Sequence, residues 1–169
     1  MAVKEVLMLG NPLLREVSDD VADFNGELVK IIKDLEDTLL FLQRSKGTGR
    51  ALAAPQIGYT RKVILYKTPE TKLIMVNPEI IYKSAEMFEV WDSCYSFDLA
   101  FYIKISRHVS IDVSYLDEKG KRKIYTFNDD LSELFQHEID HLYGILATDY
   151  LNDNRQIMMK SELDKGRII

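Results

Sequence analysis

From Leu28 to Leu42 the apolar residues Leu28, Ile31, Ile32, Leu35, Leu39 and Leu42 recur at three- and four-residue steps. That spacing lines one face of a helix and predicts an α-helix over about 25–45, ended by Lys46-Gly47-Thr48-Gly49. Its stripe is read as core. The runs Lys62-Val63-Ile64-Leu65-Tyr66 and Leu73-Ile74-Met75-Val76-Asn77 are short and apolar and read as strands, with Pro78 just after the second. Residues 109–115 alternate strictly, as a half-buried strand does, and Asp117-Glu118-Lys119-Gly120 predicts a hairpin turn into a strand over 122–127. Helical spacing returns at Leu131, Leu134, Phe135, Leu142 and Ile145. Asn128-Asp129-Asp130 offers N-caps for that second helix, Glu133 stands at the capping-box distance from Asp130, and Gly144 signals its end. Strands preceding one helix, with a separate N-terminal helix, predict an α+β fold of antiparallel sheets packed around the second helix.

The second helix carries chemistry. Gln136-His137-Glu138-Ile139-Asp140-His141-Leu142 contains His-Glu-x-x-His. Two histidines four apart share a helix face and can present two imidazoles to one cation, with Glu138 on the flank as a proton acceptor. The chain has three histidines, and two of them fall at this spacing. His108, beside Arg107, reads as a surface or structural residue. An open catalytic site needs a third protein ligand. A His-x-x-Gly-x-x-His extension would need histidine at 147, where the chain has Ala147, so that class is excluded. Glu162 lies on a short tail with little chain to support it. Cys94, the lone cysteine, is the remaining candidate, and a thiolate suits a borderline-soft dication.

Composition narrows the class. A length of 169 residues fits one domain, and 46% hydrophobic with 29% charged residues is the balance of a globular protein in water. A net charge of −5 without a basic run argues against nucleic-acid recognition. One cysteine excludes an internal disulfide and fits a reducing compartment, so the cytoplasm is expected. Val6-Leu7-Met8-Leu9 is too short for a signal peptide, and no stretch is long enough to span a membrane.

Two segments are less regular. Residues 49–58, Gly-Arg-Ala-Leu-Ala-Ala-Pro-Gln-Ile-Gly, combine small residues that allow close backbone approach with one polar side chain, Gln56. Residues 88–106 show no clear period; aromatic residues such as Trp91 and Tyr95 read there as core or as the wall of an apolar pocket.

Three of these segments together resemble the peptide deformylase family, whose members remove formyl from N-terminal formylmethionine. That family shows Gly-x-Gly-Leu-Ala-Ala-Pro-Gln, Glu-Gly-Cys-Leu-Ser and Gln-His-Glu-x-Asp-His-Leu in this order. Here they correspond to 49–56, 92–96 and 136–142, and Asn11-Pro12-Leu13-Leu14-Arg15 is similar to the family's opening segment. The third motif is complete, and the first differs only in Ala51 for glycine. The second departs most: Asp92, Ser93 and Tyr95 stand where Glu, Gly and Leu are usual, while Cys94 and Ser96 are kept. The resemblance implies that Cys94, His137 and His141 hold one divalent metal ion, iron(II) foremost, with zinc(II), nickel(II) or cobalt(II) as alternatives. It further implies Glu138 as the general base, the Gln56 amide and the Tyr95 backbone N–H as oxyanion donors, and Gly49 and Ala51 as substrate contacts. Expected partners are N-formylmethionyl peptides or nascent chains, with the ribosome as a possible host. Tyr95 and Ser93 flank Cys94 and are expected to reshape the pocket wall. The alternative is a divergent protein that acts on another formamide or holds a metal with little catalysis.

Overall fold

The computed structural model describes residues 3–166. Helix α1 spans Gly26–Lys46, where the apolar period places it. The Asn25 side chain caps its start by accepting from the Glu27 N–H, and the Gly47 amide closes its end on the Gln43 carbonyl at 3.0 Å. Among the described residues, eight strands follow the helix: β1 Ala51–Ala53, β2 Val63–Lys67, β3 Lys72–Lys83, β4 Met87–Asp92, β5 Phe101–His108, β6 Ser110–Leu116, β7 Arg122–Asn128 and β8 Ile157–Met159. Helix α2 spans Asp129–Leu142, and a short α3 spans Lys160–Leu163. The strands form two sheets, one in the order β1-β2-β3-β6-β7 and one in the order β4-β5-β8, with every pairing antiparallel. The expected α+β class with a central His-Glu-x-x-His helix is what the chain forms.

The run Val63-Ile64-Leu65 explains the layering. Val63 and Leu65 pack with Leu28, Ile31, Leu35 and Leu39 of α1, whereas Ile64 packs with Phe135, Ile139 and Leu142 of α2. A strand covered by a helix on each face has no polar side to display, so it reads as a continuous apolar run. Helix α2 also meets β5 of the smaller sheet, and so lies between the two sheets. A third cluster, with Leu14, Cys94, Phe97, Ile103, Ile105 and Leu146, fills the space beside it.

Two expectations need correction. The second strand does not stop at Pro78 but runs on to Lys83. Asn77 takes φ 50° and the register with β6 shifts between Val76 and Glu79, so the proline sits at a bulge, where its missing N–H costs no ladder bond. The Asn77 side chain uses the bend to hold the N-terminal segment, accepting from the Val21 N–H at 2.8 Å and donating to the Val21 carbonyl at 2.9 Å. The second correction concerns the start of α2. Asn128 is the N-cap without a side-chain cap bond, Asp130 pairs with Arg50, and Glu133 forms no capping box. The backbone reverses at Asp129, φ 51°, whose N–H goes to the Val109 carbonyl at 2.8 Å. This tertiary hydrogen bond does the work that local capping was expected to do.

Candidate metal centre and active site

Gly144 lets the loop after α2 press against the N-terminal segment: φ is 71°, and an added Cβ would overlap the Arg15 carbonyl. Behind this contact α2 presents His137, Glu138 and His141, all buried, to one small volume. Cys94 enters it from the turn after β4. Its Sγ lies 3.2 Å from His141 Nε2, and the two imidazole Nε2 atoms are 3.1 Å apart. All three donor atoms fall within 4.8 Å of one another. Nitrogens each ~2.0–2.1 Å from a tetrahedral ion lie about 3.3 Å apart, so the observed spacing fits a shared cation. Glu162 of α3, the other third-ligand candidate, pairs with Lys165 just past the helix and is not part of this cluster.

The surroundings favour positive charge at this point. Asp92, the last residue of β4, faces His137 Nδ1 at 2.8 Å and is itself buried. This bond leaves Nε2 of His137 turned toward Cys94 and His141, the orientation a ligating imidazole needs. Arg107 of β5 holds Asp92 at 3.0 Å and Asp140 of α2 at 2.6 Å, and the Tyr150 hydroxyl donates to Asp140 at 3.0 Å. Burial alone would raise the Asp92 pKa, but His137 and Arg107 outweigh it and hold the carboxyl below its ordinary value. Burial would likewise lower the His137 pKa, but Asp92 and Cys94 outweigh it and carry that group well above its usual range. His141 moves the other way, well below, through burial and the neighbouring His137.

Glu138 lies beside the three donors. Burial, reinforced by Asp92 and Glu133, pushes its carboxyl up to about 7 against the opposing pull of His137. Its Oε2 is buried with no hydrogen-bond partner among the described residues. Gln56 sits in the helical turn Ala54–Ile57 after β1. Its Oε1 accepts from the Ala53 N–H at 2.9 Å, which fixes the amide so that Nε2 points at Cys94 Sγ and Ser96 Oγ, each at 3.3 Å. Tyr95 opens the turn Tyr95–Phe97, and the first N–H of such a turn has no partner inside it. These groups border a cavity of about 310 Å³ that also exposes Gly49, Ala51 and Glu133.

Two of the three altered residues of the second motif, Ser93 and Tyr95, are accommodated beside Cys94 as follows. Ser93 is not among the described non-glycine residues with positive φ, so it needs none of glycine's freedom, and its hydroxyl donates to the Phe101 carbonyl at 3.0 Å. The Tyr95 phenol reaches back to the Thr48 carbonyl, and its ring packs in the core cluster of α1 while also bordering the cavity. Gly49 is the counterpart of this packing, because at φ 101° an added Cβ there would overlap the Tyr95 ring. Burial pushes the phenol up to about 12, with Glu138 adding to it, so it stays a neutral donor.

Sequence reasoning missed Arg107 and Glu133. A signal for Arg107 existed: Ile103, Ile105 and Arg107 alternate along β5, and all three are buried, so the arginine occupies an inward position. His108, read as structural, bridges to the Ser84 carbonyl through Nδ1 at 2.7 Å.

Comparison with known proteins agrees with this geometry. The family model described as polypeptide deformylase matches residues 3–156. The chain is 34% identical over 162 residues to peptide deformylase 2 of Clostridium perfringens, covering 95% of this chain and 100% of that one. It is 39% identical over 155 residues to the peptide deformylase of Heliobacterium modesticaldum, covering 91% and 98%. The fold is similar to the crystal structure of a peptide deformylase from Legionella pneumophila, with TM-score 0.82, 31% identity, and 92% and 89% of the two chains covered. It is similar also to one from Synechococcus elongatus in complex with actinonin, with TM-score 0.83, 27% identity, and 98% and 86% covered.

Proposed function

The chain belongs to the peptide deformylase family and is a metal-dependent deformylase, and we propose that Cys94, His137, His141, Glu138, Gln56 and Tyr95 carry its reaction. The observation behind this assignment is the convergence of a thiol and two imidazoles beside a buried carboxyl with a free oxygen. The substrate is the N-terminal formylmethionine of a new polypeptide, and the products are formate and a free amine.

Cys94, His137 and His141 form an S/N/N set that suits a single divalent ion. Iron(II) is our first assignment, with zinc(II), nickel(II) and cobalt(II) compatible with the same donors. When bound, the ion supplies Lewis-acid polarisation and lowers the pKa of water toward ~7. The remaining steps fall to the chain. Glu138, with its pKa near neutrality, takes the proton of the attacking water and returns it to the leaving amine. Gln56 Nε2 and the Tyr95 N–H stand ready as donors to the negative charge that grows on the formyl oxygen. Because Gln56 is anchored through Oε1, its donor is in place before charge develops. Asp92 keeps His137 aimed, and Gly49 and Ala51 border the cavity where the peptide enters. No helix among the described residues is long and apolar enough to cross a membrane. We assign the protein to the cytoplasm, where formylated nascent chains emerge from the ribosome.

Formate release from formyl-methionyl-alanyl-serine by metal-loaded protein tests the reading, with the acetylated peptide as control. Wild type should release formate, and Cys94→Ala, His137→Ala and His141→Ala should lose both bound metal and activity. Full metal occupancy in Cys94→Ala would remove Cys94 from the ligand set.

A further inference from the structure

A second cavity, of about 280 Å³, shares no lining residue with the one beside the metal donors. Lys83, Arg107, His108, Tyr150, Asn152 and Gln156 border it, and no carboxylate among the described residues does. In a chain of net charge −5, a cavity with basic side chains and no acidic one points to an anion. Lys83 ends β3 opposite Ile111 of β6, on the face that α2 covers. His108 ends β5, and Asn152 and Gln156 follow the turn Ala147–Tyr150. The polar ends left free there are chiefly donors. The Lys83 ammonium has no ion pair or hydrogen bond with any described residue. Gln156 Oε1 accepts from the Asp153 N–H at 3.2 Å, which leaves Nε2 to donate elsewhere. Arg107 commits Nη1 to Asp140 and Nη2 to Asp92, and its Nε is buried without a partner among the described residues. Those two carboxylates offset its charge, so Lys83 is the uncompensated cation of the cavity. His108 Nδ1 donates to the Ser84 carbonyl at 2.7 Å, which leaves Nε2 as the free ring nitrogen.

We propose that this cavity binds a small phosphate, free or as a monoester, with Lys83 as its principal charge partner. Phosphate oxygens accept charge-assisted hydrogen bonds from the Lys83 ammonium and a further one from Gln156 Nε2. A phosphate that keeps one proton also donates to a neutral His108 Nε2, which chloride cannot do. The volume stands at the small end of ligand cavities, roughly 300–1,000 Å³, and suits a single phosphate group better than a polymer. The site is separate from the reaction cavity, so its test does not depend on turnover.

The test titrates zinc-loaded protein with inorganic phosphate, in exchange for chloride at constant pH and ionic strength, and follows amide signals by nuclear magnetic resonance. Signals of Lys83, His108 and Gln156 should shift saturably, with Kd in the millimolar range or tighter. Lys83→Gln should weaken that binding about tenfold or more, the loss of one hydrogen bond to a charged group. Lys83→Arg should recover it, because the charge is kept. The same titration with glycerol 3-phosphate separates the sources: tighter binding than inorganic phosphate assigns a monoester, and weaker binding the free ion. Shifts confined to Gly49 and Ala51 would place phosphate at the metal centre and overturn the proposal. So would an affinity that Lys83→Gln leaves unchanged. A short RNA that binds through Lys83 while inorganic phosphate does not would overturn it in favour of a nucleic-acid surface.

Discussion

Asp92 touches His137 Nδ1 at 2.8 Å and Arg107 Nη2 at 3.0 Å, so one buried carboxylate joins the imidazole of a proposed metal ligand to a buried guanidinium. It does so from a position where the family usually has the longer glutamate. Helix α2 and strand β4 approach closely enough for the shorter side chain to reach.

This relationship predicts the behaviour of Asp92→Asn. The amide keeps the size but loses the charge that aims His137 and neutralises Arg107. Metal affinity should drop about 10–100-fold, the usual effect of removing a group that orients a metal ligand. Competition with a chelator of known affinity measures it. Unchanged affinity would show that the imidazole holds its orientation without Asp92.

Glu138→Gln is nearly isosteric and cannot accept a proton. Bound metal should stay at the wild-type level while turnover falls on the order of 10²-fold or more. Metal analysis beside single-turnover kinetics separates the two. Near-normal turnover would take the base role away from Glu138.

Glu133 gives the fold a pH dependence with a defined sign. Burial chiefly, with Asp92 adding, moves its pKa from 4.5 up to about 7. Between those values the folded chain holds a proton that the unfolded chain has released. Stability therefore falls as pH rises across that window. Glu133→Gln abolishes the effect. The variant should equal wild type near the lower bound and exceed it increasingly toward neutral pH, as read by urea midpoints. A difference that does not vary with pH would contradict this assignment.

Gly49 and Tyr95 should be coupled. Gly49→Ala brings a Cβ against the Tyr95 ring and imposes φ 101° on an alanine. It should destabilise strongly, and adding Tyr95→Leu should recover the steric part. A double-mutant cycle by chemical denaturation should give an interaction of about 0.5–3 kcal/mol. Strict additivity would mean the ring moves aside at no cost.

Much of this was legible before the structure, for physical reasons. The α1 stripe is long and periodic, so its limits fall within one residue of expectation. The His-Glu-x-x-His segment announces its own geometry, because four residues on a helix return to the same face. Residues 88–106 were opaque because Cys94 lies in a turn between β4 and β5, where no period applies; Arg107, just beyond, continues the inward alternation of Ile103 and Ile105, but its charge hid that position. Glu133 was misread as a cap because capping is inferred from sequence distance alone, whereas Asn128 and the Asp129 N–H to Val109 settle that end. Pro78 was misread as a strand end because a bulge is invisible without the partner strand.

The spread of the proposed ligands along the chain has a consequence for how the protein is made. Cys94 is synthesised 43 residues ahead of His137. Until the second pair is synthesised and α2 has settled between the two sheets, any cation that meets the chain finds only a solitary thiol. On the proposed ligand set, a complete site would exist only once α2 is in place, and the ion would be chosen by the finished cavity and not by the first ligand made.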